Sequence, residues 1–221
     1  MINEAFPARM FMQEKLDRLG ISKEAFDSYC SLLIKDWSRY RIKKGSSEWL
    51  LVKNKNGKPV HLTRDTIAYH LLGKYWISTF APPSARYLCF DIDPSEEQLR
   101  IYREIHDWLV HPIVFQSSER KGLHVYVFLS SASPIRWYKL HQITQFELRK
   151  RNIEVKPGIC EIPLDPNVSL RTPLGRGSSL LDPKTLAPMN LSLKESINFL
   201  STHTKYFTIK DLFPGLKKEN T

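Results

Sequence analysis

The sequence has few cysteines and no long hydrophobic run. Its three cysteines, Cys30, Cys89 and Cys160, are too scattered among 221 residues for a disulfide framework or a zinc module. No apolar run approaches the roughly 18 residues of a membrane span, and Met1–Arg9 lacks the apolar core of a signal peptide. These absences predict a soluble, cytoplasmic globular protein with reduced thiols and no membrane partner.

Acidic residues are outnumbered by basic ones, 23 against 33, which gives a net charge of +10 and predicts a polyanionic partner. The imbalance is concentrated in Lys35–Lys58, where eight Lys or Arg residues and two acids are interleaved with aromatic residues. The aromatic residues are Trp37, Tyr40 and Trp49. Such a stretch either tracks phosphates and stacks bases or is a solvated face whose aromatics pack inward.

The order of predicted elements indicates the fold class. We expect a helical segment at 1–44, a core at 45–200 and a basic tail at 201–221, with a hairpin around Asn56-Gly57. From residue 86 onward the pattern reads strand, helix, strand, strand, helix, strand, with the first helix after Pro94 and the second and third strands at 113–116 and 123–129. This predicts an α+β fold with an RRM-like, split βαβ antiparallel sheet, preceded by a helical and β-hairpin extension.

Two carboxylates mark the end of the first core strand. In the strand beginning at Tyr87, Cys89, Asp91 and Asp93 share one face because side chains alternate along a strand. Two acids so placed repel each other unless a cation lies between them, and carboxylate oxygens suit Mg²⁺ or Mn²⁺. Alternatively, Asp93-Pro94-Ser95-Glu96 is a helix N-cap sequence, which explains Asp93 but leaves Asp91 without a role.

The turn between the second and third core strands carries residues that suit phosphate. Gly122 permits close approach of a ligand to the backbone, and Lys121, Ser118 and the turn's N–H groups are predicted to bind nucleotide phosphates. By the alternation of the following strand, His124 lies on the open face beside Asp91. A lone histidine on a strand is also commonly structural, so that alternative stays open.

The fourth core strand adds Glu161, and a loop rich in Pro and Gly follows it. Within this loop, Arg171 and Arg176 are predicted to contact a triphosphate or a template strand. An ordinary surface loop is the alternative.

These motifs in this order resemble the archaeo-eukaryotic primase superfamily, including its primase-polymerases. The resemblance covers roughly residues 45–185 and rests on Phe-Asp-Ile-Asp, Lys-Gly-Leu-His-Val-Tyr, Cys-Glu-Ile-Pro and Leu-Arg-Thr-Pro-Leu-Gly. The chain has Gly122 where many members have serine, and it lacks a cysteine cluster for a zinc module and a helicase segment.

The resemblance implies a DNA primase or primase-polymerase that joins nucleotides on a single-stranded template. It assigns Asp91, Asp93 and Glu161 to two divalent metal ions, Mg²⁺ or Mn²⁺, with Asp165 as the other candidate for the third acid. It assigns His124 to the phosphates of the incoming nucleotide. The implied partners are single-stranded DNA or a primer-template, nucleoside triphosphates, and a helicase or other replication subunits.

Three other functions are compatible with parts of the sequence. A non-catalytic, single-stranded nucleic-acid-binding module is the main one, since Lys121–Phe128 resembles an RNA-recognition strand with Tyr126 and Phe128 as stacking residues. A rolling-circle nicking enzyme needs a second histidine, which His124-Val125-Tyr126 lacks. A nucleotide-sugar transferase with an Asp-x-Asp motif fits poorly with the basic charge and the order of elements.

Overall fold

The computed structural model describes residues 11–45, 48–132 and 134–215. None of the helices in these ranges combines the length and hydrophobicity needed to cross a bilayer. The helices are α1 (Met12–Leu19), α2 (Lys23–Leu33), α3 (Arg64–Leu71), α4 (Gln98–Trp108), α5 (Trp137–Lys150), α6 (Leu193–His203) and α7 (Ile209–Leu212). The strands are β1 (Tyr40–Lys43), β2 (Leu50–Leu51), β3 (Trp76–Phe80), β4 (Ser84–Ala85), β5 (Tyr87–Ile92), β6 (Ile113–Gln116), β7 (Leu123–Leu129), β8 (Ile135–Arg136), β9 (Cys160–Glu161), β10 (Ser169–Arg171), β11 (Ser179–Leu181) and β12 (Tyr206–Phe207).

A mixed α+β architecture is formed around a six-stranded sheet. Its strands lie in the order β11-β6-β7-β5-β9, each antiparallel to its neighbours, and β12 pairs with β7 in parallel. The predicted strands at 113–116 and 123–129 are confirmed at these bounds. They form because β-branched and aromatic side chains suit a pleated surface, and the turn at Ser117–Gly122 reverses the chain.

A second sheet has four strands in the order β10-β3-β1-β2, all antiparallel. The expected hairpin around Asn56-Gly57 is only partly formed. Its arms meet at one bridge between Lys53 and Pro59, and β2 pairs with β1 instead. The strand β10 arrives from the C-terminal half of the chain, so this sheet is not a purely N-terminal unit.

The six-stranded sheet is covered on both faces. Leu88, Phe90 and Ile92 pack against α4 and α5 on one side. On the other side, Tyr126 and Phe128 are 3% and 1% exposed and share a hydrophobic cluster with the four-stranded sheet and α2. The face that we expected to be open is therefore buried, because elements far away in sequence cover it.

The segment expected to be a basic tail is packed in its described part. The helix α6 extends to His203, and β12 and α7 follow it. Ile209, Leu212 and Phe213 are buried against the α4 side of the six-stranded sheet. Burial of such side chains contributes about 1.5–3 kcal/mol each, so residues 209–213 belong to the folded unit.

Candidate functional site

Strand register gathers the predicted carboxylates at one end of the six-stranded sheet. Asp91 lies directly opposite His124 on β7 and directly opposite Glu161 on β9. Asp93 follows the strand, and its backbone N–H donates to the carbonyl of Ile159 at 3.0 Å. We call Asp91, Asp93 and Glu161 the acidic cluster. Glu161, rather than Asp165, is the residue paired with Asp91.

Asp93 is not a helix cap. The helix α4 begins at Gln98, and its N-cap residue is Glu97, whose side chain makes no capping hydrogen bond. The Asp93 carboxylate instead accepts a hydrogen bond from the backbone of Gly158. The helix-capping explanation for Asp93 is therefore excluded.

The acidic cluster holds charge that the protein does not neutralise. Burial, and then the neighbouring charge of Asp91, raises the pKa of Asp93. Burial, followed by the charges of Asp91 and Asp93, raises the pKa of Glu161. Among the described side chains, no Lys or Arg forms an ion pair with any of the three carboxylates. The fold thus leaves partly buried negative charge at this edge.

His124 is buried rather than displayed on an open face. It is 3% exposed, and its Nε2 lies 3.3 Å from Oδ1 of Asp91. Its Nδ1 is also buried and has no hydrogen-bond partner among the described residues. The imidazole therefore contacts Asp91 directly, and its predicted contact with nucleotide phosphates stays a prediction.

The turn between β6 and β7 packs against the end of β5. Gly122 leaves little space, because a Cβ there would lie 2.6 Å from Oγ of Ser117 and 3.4 Å from the carbonyl oxygen of Ile92. Lys121 has a left-handed backbone with φ 64°, and its carbonyl accepts from Nε2 of Gln98 at 2.8 Å. Its N–H donates to the carbonyl of Ser118 at 2.9 Å. The Lys121 side chain is exposed.

The loop that carries Arg171 and Arg176 is held by buried polar contacts. The hydroxyl of Tyr29 donates to the carbonyl of Pro173 at 2.7 Å, and Nε2 of His70 lies 3.4 Å from the same oxygen. Gly175 is tightly placed, since a Cβ there would lie 2.0 Å from Cε1 of His70. The loop is thus an anchored structure rather than an ordinary surface loop.

Both loop arginines lie against Trp76. The guanidinium carbons of Arg171 and Arg176 are 5.1 and 5.6 Å from the centre of the indole ring, and the indole N–H donates to the carbonyl of Arg176 at 2.7 Å. Nε of Arg176 lies 3.9 Å from Oε1 of Glu119, which joins this loop to the β6–β7 turn. Sequence reasoning missed Trp76, and its place near paired arginines could not be seen without the sheet register.

One face of the four-stranded sheet is rich in arginine. Arg41, Ser78 and Arg171 lie side by side on three neighbouring strands. Arg39 and Arg41 pack over the ring of Phe80 at 4.3 and 5.6 Å. We call Arg39, Arg41 and Arg171 the arginine face. In the described part of the chain none of the three pairs with a carboxylate, so their charges are available to an anion.

The aromatic side chains and the arginines of the basic stretch pack in different places. Tyr40 is 7% exposed and Trp37 packs against the core cluster of α2, as the inward-packing alternative expects. The half-buried arginines of the same stretch, Arg39 and Arg41, pack over Phe80. The inward-packing alternative therefore holds for Trp37 and Tyr40, and phosphate binding by the arginines stays a prediction.

The acidic cluster fits a divalent cation by its donor chemistry. Carboxylate oxygens are the ligands that Mg²⁺ and Mn²⁺ favour, and burial leaves the three carboxylates partly screened from water. As arranged, however, no group of three His, Cys, Asp or Glu side chains within the described ranges converges to hold a metal ion. Asp91 and Asp93 contact His124 and Gly158 in this arrangement.

No protein-family model matches the chain, and no curated protein matches it. Among solved structures, the chain is similar to the AEP domain of the primase-polymerase from cyanophage S-2L, with a TM-score of 0.49 and 12% sequence identity. The match covers 89% of this chain and 98% of that one. The case for a function therefore has to come from the residues and contacts of this chain.

Proposed function

We propose that the protein is a template-dependent nucleotidyltransferase, a DNA primase or primase-polymerase, that uses two Mg²⁺ or Mn²⁺ ions. The observation that carries the proposal is the position of the acidic cluster. Asp91 lies in register between His124 and Glu161, beside a turn that presents Lys121. Unneutralised carboxylates next to exposed cations suit a substrate that brings both metal ions and phosphates.

The order of strands supports assigning the core to the archaeo-eukaryotic primase type. Taken in chain order, β5, β6, β7 and β9 with α4 and α5 follow the split βαβ pattern, and in space they lie as β9-β5-β7-β6. The acids at the end of the first of these strands and on the fourth are the positions that the motif resemblance assigns to catalysis. Fold pattern and motifs therefore support the same function.

The acidic cluster is the metal-binding part of the proposed mechanism. Asp91, Asp93 and Glu161 would hold two divalent ions, which when bound lower the pKa of an attacking hydroxyl and neutralise triphosphate charge. His124 keeps Asp91 in place through the contact of 3.3 Å between Nε2 and Oδ1. Because His124 is buried, it fixes this carboxylate before any substrate binds.

Two cationic segments, the β6–β7 turn and the anchored loop, are proposed to bind the phosphates of the nucleoside triphosphate. Lys121 and the arginines of the anchored loop offset the negative charge that builds on the triphosphate during transfer. In this step the acceptor hydroxyl loses its proton to water, and its oxygen forms a bond to the α-phosphorus. The bond from that phosphorus to pyrophosphate breaks at the same time. Arg171 and Arg176 are pre-positioned for this by their contacts with Trp76.

The arginine face is proposed to bind the single-stranded DNA template. Its arginines lie on a sheet face next to the anchored loop, and Arg171 belongs to both surfaces. Phosphate contacts of this kind give binding that weakens steeply as salt rises. Nucleoside triphosphates, a primer-template, and a helicase or other replication subunits complete the proposed set of partners.

The non-catalytic binding module is disfavoured by burial. Its stacking residues, Tyr126 and Phe128, are 3% and 1% exposed and pack on one another with centroids 5.9 Å apart. Bases cannot stack on rings that lie inside the core. This alternative also gives the acidic cluster no role.

The test is nucleotide incorporation on a single-stranded template with Mg²⁺ or Mn²⁺, with and without a labelled primer. We expect metal-dependent extension that the double substitution Asp91→Ala/Asp93→Ala abolishes, and products without primer if the protein is a primase. Template binding by the double variant, measured by fluorescence anisotropy, should remain close to that of the parent protein. No incorporation with either metal, together with unchanged binding, contradicts the proposal.

A further inference from the structure

A second concave site adjoins the acidic cluster. It is a cleft of about 540 Å³ between the N-terminal half of α5 and the segment 155–168. Glu161, the member of the acidic cluster on β9, forms part of its wall. Its volume lies in the range of small-ligand sites. The proposed function gives a role to Glu161 but to none of the other residues that line this cleft.

The lining of the cleft suits a neutral aromatic ring rather than a phosphate. Three ring side chains come from α5, namely Trp137, Tyr138 and His141, and two side-chain amides come from Gln142 and Gln145. The acids Glu161 and Asp165 lie on the wall opposite α5. The cation at the cleft, Lys156, is engaged by Glu154 at 2.6 Å.

This combination matches the chemistry of a nucleobase. Aromatic side chains stack on bases, amide side chains hydrogen-bond their edges, and carboxylates accept from their amino groups. Asp165, beside a lysine that Glu154 engages, repels the phosphates of a nucleotide, which keeps the sugar-phosphate part outside the cleft. The occupant is therefore expected to enter base first.

Apolar groups stand exposed on both walls. Tyr138 on α5 is 47% exposed, and Val168 on the opposite segment is 43% exposed. The ring of Tyr138 meets Trp137 edge-on, with centroids 6.1 Å apart and an interplanar angle of 89°. A planar ring inserted between the two walls covers both groups, which favours binding by removing their apolar surface from water.

The cleft lies on the side of the acidic cluster opposite to the cationic β6–β7 turn. Across the sheet the order is β6, β7, β5 and β9, so Asp91 stands between the turn that precedes β7 and Glu161 on β9. In phosphoryl transfer the attacking and leaving oxygens lie roughly in line. If the pyrophosphate leaves toward Lys121, the acceptor hydroxyl must approach from the side of Glu161.

We propose that this cleft binds the base of the acceptor nucleotide, whose sugar hydroxyl attacks the incoming triphosphate. The inference rests on the proposed function, because it takes the transfer reaction as given. It adds the residues that select and hold the acceptor. Tyr138 supplies the stacking surface, and Gln142 and Gln145 supply hydrogen bonds to the edge of the base.

The test is photo-crosslinking of a primer-template whose primer carries 5-iodouracil at its 3′ end. We expect irradiation to link this base to the peptide that contains Tyr138, as mapped by mass spectrometry. The same halogenated base placed well upstream in the primer serves as the control and should not label this peptide. The readout does not depend on turnover.

A variant series provides the second measurement. Tyr138→Ala should raise KM for the primer about ten-fold, which is the effect of losing one stacked base, while KM for the nucleoside triphosphate stays unchanged. Tyr138→Phe keeps the ring and should restore the parent value. Phe146→Ala removes a ring from the same helix that is 59% exposed and does not line the cleft, so it should have no effect.

The outcomes separate this inference from the proposed function. Metal-dependent incorporation with an unchanged primer KM in Tyr138→Ala, and crosslinks elsewhere, overturns the inference and leaves the function intact. Crosslinking at Tyr138 without incorporation under either metal supports a nucleobase cleft but overturns the proposed function. Incorporation together with a crosslink at Tyr138 supports both the nucleobase cleft and the proposed function.

Discussion

The acidic cluster and the arginine face carry opposite charges, and in both the side chains lack salt bridges to the usual partners of their charge within the described residues. In the described residues no Lys or Arg pairs with the acidic cluster, whose ionisable neighbour is His124 beside Asp91, and no Asp or Glu pairs with the arginine face. The outer helices differ, because their charges pair locally, as in Glu14–Arg18, Glu97–Arg100 and Glu147–Arg151. This difference supports the proposed ligands, which bring the opposite charge to each surface.

The two surfaces are also built by different means. The acidic cluster follows from strand register, with Asp91 opposite both His124 and Glu161. The arginine face depends on a loop whose conformation is fixed from below by His70 and Tyr29. The residues of the acidic cluster therefore lie within short sequence motifs. The arginine face instead requires contacts between residues about a hundred or more positions apart.

The largest predicted effect comes from the acidic cluster. Asp93→Asn keeps an oxygen that accepts from Gly158 but removes the charge, so metal-dependent incorporation should fall about 1,000-fold. Since burial and Asp91 raise the pKa of Asp93, its charge opposes folding at neutral pH. The variant should therefore be as stable as the parent or up to about 1 kcal/mol more stable without metal, as measured by urea unfolding.

Asp107→Asn is the matched control for this prediction. Asp107 lies on α4 with its side chain 83% exposed, and removing its charge should change neither incorporation nor stability. A loss of activity in Asp93→Asn that is accompanied by an equal loss of stability contradicts a catalytic role. It would make Asp93 a structural acid.

The second prediction concerns the support beneath the arginine face. Burial lowers the pKa of His70 from 6.5 to about 4. Burial disfavours the charged ring, whose Nδ1 lies 3.3 Å from the backbone N of Ile77 and 3.2 Å from the carbonyl oxygen of Tyr75. Below pH 6.5 the imidazole of His70 is protonated in the unfolded chain but stays neutral in the folded protein. The free energy of unfolding therefore falls as the pH drops from about 6.5 to 4. The loss attributable to His70 should reach about 3 kcal/mol.

Urea unfolding at pH 7 and at pH 4.5 measures this loss. His70→Gln removes the titrating group, so its stability should depend less on pH over this interval, although it is less stable than the parent at pH 7. The contribution of His70 is the difference between the two slopes, since the other titrating groups are common to both proteins. Equal slopes in the two proteins contradict the prediction.

Much of the acidic cluster could be predicted from the sequence, since its geometry is local. Alternation along β5 and β7 put Asp91 and His124 on the same face, and the register confirms this. The strand bounds at 113–116 and 123–129 were predicted because turn residues flank clear apolar runs. The start of α4 was predicted too early, since Asp93 hydrogen-bonds to the backbone of Gly158 instead of capping a helix.

The arginine face was only partly predictable, because long-range pairing decides it. The strand β10 is three residues long, Ser169–Arg171, and nothing in so short a segment indicates which sheet it joins. The burial of Tyr126 and Phe128 likewise depends on the four-stranded sheet that covers them. The basic stretch predicted a cationic surface, but the side chains that form it could be identified only from the register with β3.

The smallest predicted effect tests the arginine face itself. Arg41→Gln removes a cation whose described contact is the ring of Phe80, at 5.6 Å, so folding should change by less than about 1 kcal/mol. Affinity for single-stranded DNA should fall about five-fold at roughly 0.1 M salt, and the slope of log affinity against log salt should lose about 0.7. Arg18→Gln is the matched control, since Arg18 is exposed on α1 and paired with Glu14 at 3.0 Å. If the salt slope is unchanged in Arg41→Gln, or is reduced equally in both variants, the template binds elsewhere. That result contradicts the proposal that the arginine face is a ligand-binding surface.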